Sequence, residues 1–431
     1  MQSARPKVLH EVGGRAMIQH VLAAAEALQP ARIVVVVGPG MEAVATAALP
    51  HPTAIQQEPL GTAHALLAAE SSVADVVAEG AQVLVLYGDG PLISPATLRA
   101  LCAAPGDFAW LGVRPPDPTG YGRLIVERDE LVRIVEERDA AAPERAVGLV
   151  WGGLLAARGK ALFELARRVG NDNAKREYYL TSLVALARAA GLRSGVVESA
   201  FDEVRGINSR AELAEAEALF QARRRREVME AGATLIAPET VFLSWDTELA
   251  PDVTVEPHVF FGREVRVAEG ATIRAFSHLQ GVRIGRDAII GPFARLRPRS
   301  VVGDGAHVGN FVELKAATLG AGAKANHLSY IGDATVGAKA NIGAGTITAN
   351  YDGVMKHRTE IGAGASIGSN AVLVAPVSVG EGAIVGAGTT VTEEVPADAI
   401  AVARAPLSVT QRSAERHRAR LKRMKDEKEG K

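Results

Sequence analysis

The second half of the chain repeats an aliphatic residue at every sixth position. This period fits neither the helical period nor the two-residue alternation of an ordinary strand. It is typical of parallel β-helices, in which each repeat forms one short strand. We therefore predict a prism of short strands whose corners are turned by Gly or other small residues and whose aliphatic side chains fill a continuous core. The repeating positions are Ile284, Ile290, Leu296, Val302, Val308, Leu314, Ile361, Ile367, Leu373, Val379, Val385 and Val391.

The period slips between these two runs, and the segment Thr348–Gly353 interrupts it. Polar residues collect near the breaks, although a purely structural stack does not need them. Arg and Lys bind phosphate, Asn hydrogen-bonds hydroxyls and amides, and His accepts a proton near neutral pH. The pattern predicts a site for an anionic ligand beside a proton acceptor, although His327 could also be a surface coil residue and Asn350 a turn residue. The candidates are Arg297, Lys315, His327, Tyr330, Asn341, Asn350, Tyr351 and Lys356.

Residues 1 to about 200 alternate strand-like and helix-like segments, which predicts a parallel sheet covered by helices. The strand Val83–Tyr87 is followed by Asp89, and ligands of open α/β sheets bind at the carboxyl ends of strands. Asp89 is therefore the first candidate of this half, with a turn or helix-cap role as an equal alternative. The capping-box pattern of Ser209–Glu212 predicts a long helix that runs to about Glu230.

The composition excludes several classes of protein. With 48 Lys and Arg against 49 Asp and Glu, the formal net charge of -1 gives no electrostatic case for a nucleic-acid partner. The one cysteine, Cys102, excludes an intramolecular disulfide and a Cys-rich zinc site. No apolar run is long enough for a membrane span or a signal peptide, so we expect a cytoplasmic protein with no membrane partner. The basic tail from about residue 411 is predicted to be disordered.

Four long motifs of the second half are Gly291–Pro298, His307–Lys315, His327–Asp333 and Asn341–Gly353. In this order they resemble the acetyltransferase half of the bifunctional N-acetylglucosamine-1-phosphate uridylyltransferase and glucosamine-1-phosphate N-acetyltransferase family of bacterial cell-wall synthesis. The resemblance implies a left-handed β-helix, an exception to the usual right-handed crossover. It also implies assembly as a homotrimer.

The resemblance implies roles for single residues. His327 would be the general base that takes a proton from the glucosamine amine as it attacks the acetyl-CoA thioester, with Glu313 near enough to polarise it. Arg297 and Lys315 would hold the sugar phosphate. The sugar pocket would be completed by Tyr330, Asn341 and Lys356. The acetyl-CoA positions would be Ala344, Asn350, Tyr351, Ser369, Ala387 and Arg404.

Motifs of the first half include Arg5–His10, Leu60–Ala65, Leu86–Asp89, Pro118–Arg123, Glu177–Thr181 and Gly206–Asn208. They resemble the uridylyltransferase half of the same family, a Rossmann-like nucleotidyltransferase. The resemblance implies that Asp89 and Asn208 hold Mg²⁺ at the nucleotide phosphates and that Lys7 neutralises charge during attack on UTP. The implied UDP-N-acetylglucosamine positions are Lys7, Gln56, Gly61, Thr62, Tyr87, Gly88, Asp89, Gly122, Glu136 and Asn208.

The first half also departs from the family pattern. The family's Gly-rich phosphate loop is not found before Arg5, so we expect this domain to be N-terminally truncated. Trp151–Gly153 stands where the family has Asn-Thr-Gly for the sugar, Ser182 replaces an Asp, and Gly90 replaces a larger residue. A monofunctional acetyltransferase with a degenerate first domain is therefore one alternative to the bifunctional enzyme. A non-catalytic trimeric hexapeptide scaffold is the other.

We predict an α/β chain in three parts: a Rossmann-like nucleotidyltransferase domain over 1–208, a linking helix over 209–230, and a left-handed parallel β-helix of hexapeptide repeats over 231–431. The predicted function is synthesis of UDP-N-acetylglucosamine in two steps. Acetyl-CoA first acetylates glucosamine-1-phosphate. A Mg²⁺-dependent transfer from UTP to N-acetylglucosamine-1-phosphate then releases pyrophosphate.

Overall fold

A computed structural model describes residues 1–173 and 175–429 of the chain. The chain divides into two compact units. The first consists of Met1–Glu230 with Phe242–Thr247, and the second of Ala231–Val241 with Glu248–Lys431. Across the described residues, no helix has the length and apolar character needed to cross a membrane.

The second unit is built from three parallel sheets, to which each coil of the chain contributes one strand in turn. Sheet A contains Thr234–Leu235, Thr254–Val255, Thr272–Ile273, Ile289–Ile290, His307–Asn310, Lys324–His327, Asn341–Ile342, Ser366–Ile367, Ile384–Val385 and Ile400–Ala401. Sheet B contains Glu248–Leu249, Val265–Val267, Val282–Ile284, Ser300–Val302, Thr318–Leu319, Ala334–Val336, Thr359–Ile361 and Val377–Val379. Sheet C contains Phe260–Phe261, His278–Leu279, Arg295–Leu296, Glu313–Lys315, Tyr330–Gly332, Ile347–Ala349, Val372–Val374 and Thr390–Val391.

The aliphatic residues of the repeat form the core of this unit. Leu296, Val308 and Leu314 are fully buried, each with 0% of its surface exposed. Main-chain hydrogen bonds join each coil to the next, as where the Arg295 N–H donates to the Val312 carbonyl at 3.0 Å. Every inward side chain is thus held above another inward side chain. The predicted left-handed parallel β-helix of hexapeptide repeats is confirmed.

After the β-helix, the described residues up to 429 contain one helix, α10, over Ser413–Lys428. None of its side chains is buried. Its Ala, Arg, Lys and Glu residues are strong helix formers, and Lys425 and Glu429 lie 3.6 Å apart as an ion pair one turn apart. The composition predicts disorder for this tail, and the structure has a helix there. Low apolar content indicates that a segment cannot form a core, but it does not exclude a local helix.

Helices and strands alternate in the first unit. Its helices are α1 Met17–Glu26, α2 Glu42–Ala47, α3 Thr62–Ala68, α4 Glu70–Ala78, α5 Pro95–Ala103, α6 Ala142–Arg145, α7 Gly159–Ala166, α8 Leu183–Ala189 and α9 Arg210–Glu230. Its strands are β1 Glu11–Val12, β2 Arg15–Ala16, β3 Val35–Val37, β4 Thr53–Ile55, β5 Gln82–Val85, β6 Phe108–Val113, β7 Arg123–Glu127, β8 Glu130–Val135, β9 Val150–Arg158 and β10 Ser194–Ser199. Short 3-10 turns cover Lys7–Leu9, Leu180–Ser182 and Phe201–Glu203.

The main sheet of this unit has the order β10-β6-β9-β7-β8, with β5 also paired to β9. The Rossmann-like alternation is confirmed, but the prediction of a wholly parallel sheet is wrong. Strands β6 and β10 are parallel, whereas β9 runs antiparallel to both β5 and β6. Residues Leu155, Ala156 and Ala157 of β9 are buried between these neighbours. A buried apolar run accepts a neighbour of either direction, so hydropathy does not encode strand direction.

The long helix α9 begins at the predicted capping box. The Glu212 N–H donates to Ser209 Oγ at 3.2 Å, and the Ser209 N–H donates to Glu212 Oε2 at 3.0 Å. Further along, Arg223 donates to the Leu92 carbonyl and Arg224 to the Thr247 carbonyl. These arginines attach the helix to its own unit.

Neighbouring valines on sheet B test the inward and outward register of the β-helix. Val302 is 1% exposed and Val301 is 40% exposed. We expect Val302→Ala to lower the free energy of unfolding by about 2 kcal/mol, because apolar burial is lost and a cavity remains. Val301→Ala is the matched control and should cost less than about 1 kcal/mol. Urea unfolding at one protein concentration, followed by circular dichroism, measures both. Equal losses would contradict this register.

Candidate active sites

Several predicted residues of the second unit form one column along the edge of sheet A. In the sheet, Asn310 pairs with His327, and Ala325 pairs with Ile342. Continuing that register by two residues sets Ala344 directly above His327. The next coils follow the same register, so the column runs through the predicted acetyl-CoA positions Ala344, Ser369 and Ala387.

Main-chain contacts hold this column together. The Gly345 N–H donates to the His327 carbonyl at 3.3 Å, and the Asn370 N–H donates to the Ala344 carbonyl at 2.7 Å. One coil higher, the Gly388 N–H donates to the Ser369 carbonyl at 2.8 Å. The side chain of Arg404, another predicted acetyl-CoA residue, approaches Gly388 at the upper end of the column. The fold thus aligns His327, the predicted proton acceptor, with four of the six predicted acetyl-CoA positions.

The imidazole of His327 is exposed, and its Nδ1 lies 3.0 Å from Asn310 Oδ1. Its carbonyl accepts a hydrogen bond from Ser329 Oγ at 2.8 Å. Glu313, which the resemblance assigns to polarise His327, accepts a hydrogen bond from Arg297 Nη1 at 2.9 Å. Glu313 is thus the partner of Arg297, one of the predicted phosphate-binding residues, and Asn310 contacts the imidazole.

A cluster of cations lies on and beside sheet C. Lys315 Nζ lies 3.6 Å from Asp333 Oδ2. Lys315 also hydrogen-bonds Lys356, and this hydrogen bond, followed by the Lys315 charge, lowers the pKa of Lys356. The same hydrogen bond and the Asp333 carboxylate raise the pKa of Lys315. Lys315 therefore holds its proton to a higher pH, and Lys356 to a lower pH, than an ordinary lysine. Arg297 precedes Lys315 by one coil in the same register, so three cationic side chains meet.

The segment between the Ile347–Ala349 and Thr359–Ile361 strands forms a loop. Asn350 at its base is 7% exposed, and its Nδ2 donates to Asp333 Oδ2 at 2.6 Å. The Asn350 side chain thus anchors the loop to the carboxylate beside the cation cluster. Tyr351 is 62% exposed and pairs with Lys356 across the loop. The other predicted sugar residues, Tyr330 and Asn341, lie on sheets C and A.

The first unit contains a cavity of about 250 Å³ at the carboxyl end of β5. Four predicted nucleotide-sugar residues line it, namely Tyr87, Asp89, Gly122 and Glu136. Tyr121, Glu203 and Gly206 are further lining residues. Burial raises the pKa of the Tyr87 hydroxyl, which hydrogen-bonds Thr62. Glu136 accepts a hydrogen bond from Thr181 Oγ1 at 3.2 Å. The cavity thus lies beside the ends of several strands of this mixed sheet.

Three other predicted positions lie outside the lining of the cavity. Gln56 Nε2 donates to the Gly61 carbonyl at 3.1 Å. Gly61 has a φ of 115°, and a Cβ there would lie 2.6 Å from the Tyr178 carbonyl oxygen, so only glycine fits. Gly88 packs against Ile18.

The two predicted metal ligands converge on one cation of the chain itself. Lys7 Nζ donates to Asp89 Oδ2 at 2.5 Å and to Asn208 Oδ1 at 2.8 Å. One carboxylate and one amide oxygen suit a hard cation that keeps most of its ligands as water or phosphate. Within residues 1–173 and 175–429, no group of three or more His, Cys, Asp or Glu side chains is arranged for a metal. The donor set therefore fits Mg²⁺ with few protein ligands.

Trp151 occupies the wall of this cavity. Its ring is edge-on to Tyr87 at 5.9 Å and to Trp110 at 5.8 Å. Its Nε1 donates to the Leu154 carbonyl at 3.3 Å. Gly90 and Gly152 line the same cavity, so three of the departures from the family pattern meet at one place.

Two residues of the candidate sites are not among those predicted from the sequence. Asp333 binds both Lys315 and Asn350, and Asn310 contacts His327. Both belong to the quoted motifs, but they pair with residues 17 or 18 positions away. The spacing of 17 or 18 residues, which is one coil of the repeat, is the sequence signal that could have identified these partners.

Each of the two units matches a known protein family. Residues 1–151 match the family described as MobA-like NTP transferase domain. Residues 281–316 and 358–393 match the family described as bacterial transferase hexapeptide (six repeats).

Three curated relatives are each named bifunctional protein GlmU. The one from Azorhizobium caulinodans is 55% identical over 94% of this chain and 91% of its own length. The one from Acidiphilium cryptum is 57% identical over 94% and 92%, and the one from Jannaschia sp. is 49% identical over 99% and 95%. Similarity at this level across both units confirms the family that the motifs resemble. The chain therefore belongs to the family of bifunctional GlmU proteins, transferases that combine a nucleotidyltransferase domain with a hexapeptide domain.

Proposed function

We propose that the second unit transfers the acetyl group of acetyl-CoA to the amine of glucosamine-1-phosphate. The observation that carries this proposal is the column of sheet A, where His327 shares one edge with Ala344, Ser369 and Ala387. A thioester bound along that edge would present its carbonyl to an amine beside an exposed imidazole. The cation cluster on the next sheet supplies the charge that a sugar phosphate requires.

The residues of this site support each step of an acyl transfer. Arg297, Lys315 and Lys356 would bind the phosphate and fix the sugar, with Tyr330 and Asn341 beside it. The Nε2 atom of His327 would take a proton from the amine as its nitrogen bonds to the thioester carbon. When the carbon–sulfur bond breaks, the same Nε2 would return a proton to the CoA sulfur. The amide and the free thiol are the products, and the imidazole is again neutral.

We propose that the first unit then transfers the uridylyl group of UTP to N-acetylglucosamine-1-phosphate. Asp89 and Asn208 would hold Mg²⁺, which supplies charge neutralisation at the phosphates. Lys7, which contacts both oxygens, would move toward the phosphates when the cation binds and add a further positive charge. Tyr87, Gly122 and Glu136 would contact the sugar and nucleotide from the cavity wall. Gln56, Gly61, Thr62 and Gly88 would shape its floor.

We also propose that the protein is a homotrimer in the cytoplasm. Its domain limits in this proposal lie at residues 208 and 230. A monofunctional acetyltransferase is the second candidate. Trp151 favours it, because a half-buried indole stands in the cavity where the family pattern has a polar side chain for the sugar. An indole with its N–H already bonded to Leu154 offers no donor to a sugar hydroxyl.

The imidazole of His327 has a direct test. We expect His327→Ala to lower kcat for CoA release about 100-fold or more, with little change in either KM, because a general base acts in the transition state. His307→Ala, which removes another histidine of sheet A, is the matched control and should keep its rate. An unchanged kcat in His327→Ala would remove this residue from the mechanism.

The lowered pKa of Lys356 predicts a pH effect on binding. Lys356 is charged below its pKa, and because that pKa is lowered, the charge is lost at a lower pH than for an ordinary lysine. As the pH is raised, the KM for glucosamine-1-phosphate should therefore begin to rise at a lower pH than the range in which lysines usually lose their charge. Lys356→Ala should raise this KM about 10-fold at neutral pH and remove the alkaline rise. Lys160→Ala, an exposed lysine of the first unit, should leave the profile as it is.

Pyrophosphate release separates the two candidate functions. We expect Mg²⁺-dependent pyrophosphate release from UTP and N-acetylglucosamine-1-phosphate, and a loss of about 100-fold in Asp89→Asn, because that variant removes a charge from the cation site. CoA release by the same preparation checks that the chain is folded. Asp75→Asn, an exposed carboxylate paired with Arg32, is the control. CoA release without pyrophosphate release from the unaltered chain would favour the monofunctional acetyltransferase.

A further inference from the structure

Asn310 lies one coil below His327 in the column of sheet A. Its Oδ1 is 3.0 Å from His327 Nδ1, and its carbonyl accepts a hydrogen bond from the Leu328 N–H at 3.0 Å. Both ends of Asn310 thus hold the His327–Leu328 segment. The close approach depends on Gly309, where a Cβ would lie 2.0 Å from the Asn326 carbonyl oxygen. A side chain at 309 would push the two coils apart and lengthen the contact.

The chemistry of this contact fixes the state of the imidazole. A carboxamide oxygen only accepts hydrogen bonds, so the Nδ1 that faces it must carry a hydrogen. In a neutral imidazole the other nitrogen, Nε2, then has a free lone pair. We infer that Asn310 is a positioning residue that holds His327 in the tautomer with Nε2 free to accept the proton of the attacking amine. The inference rests on the proposed acetyl transfer.

The proton count agrees with this role. The hydrogen stays on Nδ1 throughout the cycle, and Nδ1–H donates a hydrogen bond to Asn310 Oδ1. Nε2 takes one proton when the nitrogen–carbon bond forms and releases one when the carbon–sulfur bond breaks. An imidazole with the opposite tautomer would present an N–H to the amine and could not accept its proton.

An amide at this position has a further consequence. A carboxylate would also accept from Nδ1, but its negative charge would favour the imidazolium and so keep the base protonated. The charged and titratable groups on the neighbouring strands do not place such a negative charge beside the imidazole. Glu313 on sheet C is paired with Arg297, Tyr330 follows on the same sheet, and Lys324 lies on the strand of His327 itself. A neutral partner therefore orients His327 without adding a negative charge beside it.

Two variants of Asn310 test the inference by different readouts. Asn310→Ala should lower kcat for CoA release about 10- to 100-fold with little change in either KM, because the active tautomer is no longer favoured. Asn310→Asp has nearly the same shape. It should move the acidic limb of the kcat/KM profile to higher pH by about 1 unit, so that activity falls at neutral pH and recovers in alkaline buffer. Asn326→Ala, an amide next to His327 in sequence, is the matched control and should keep both the rate and the profile.

The outcomes distinguish this inference from the proposed function. If the unaltered chain releases no CoA from acetyl-CoA and glucosamine-1-phosphate, the acetyltransferase proposal fails. If it does release CoA but Asn310→Asp has an unshifted profile, the positioning role is overturned. A large loss in Asn310→Ala together with a lower melting temperature would indicate a structural role for that substitution, and the profile of Asn310→Asp would then decide. A shifted profile in a variant that melts like the unaltered chain supports the inference.

Discussion

The register between successive coils of the β-helix is the constraint on which the second unit depends. Main-chain hydrogen bonds join each coil to the next, and one buried aliphatic residue stands on another, as Val308, Ala325 and Ile342 do. A slip by one residue would turn every inward side chain outward, so apolar burial holds the register strongly. The same register aligns the outward residues. Asn310, His327 and Ala344 form a column because the buried residues two positions earlier form one.

The candidate acetyl-transfer site follows from this stacking. Residues that are 16 to 18 positions apart meet on neighbouring coils, which brings Arg297 to Glu313 and Lys315 to Asp333. These two ion pairs orient two cations, while Lys356 remains as the third cation with a lowered pKa. A net charge of -1 for the whole chain conceals this local positive site. The local arrangement of charges, and not the total charge, therefore decides whether a surface can attract an anion.

The first unit follows a different logic. A mixed sheet brings the ends of its strands and their loops to one cavity, where Tyr87, Asp89 and Glu136 meet. Lys7 lies between the side-chain oxygens of Asp89 and Asn208. Its ammonium group places a positive charge where a bound cation would place one. The aromatic contacts of Trp151 with Tyr87 and Trp110 make one wall of the cavity rigid and apolar. Any ligand of this cavity therefore meets an indole at the position where the family pattern has an Asn.

The sequence by itself determined the β-helix, since a six-residue aliphatic period has one simple structural solution. It also determined the capping box of α9, a local pattern that needs no tertiary contact, and the family, through motifs spread over both halves. Only the tertiary structure decided that β9 is antiparallel, because burial carries no strand direction. It alone paired Glu313 with Arg297, and His327 with Asn310, because each pair spans a full coil of the chain. Side-chain partners across coils depend on where the register slips, and a sequence pattern locates those slips without showing which atoms they bring together.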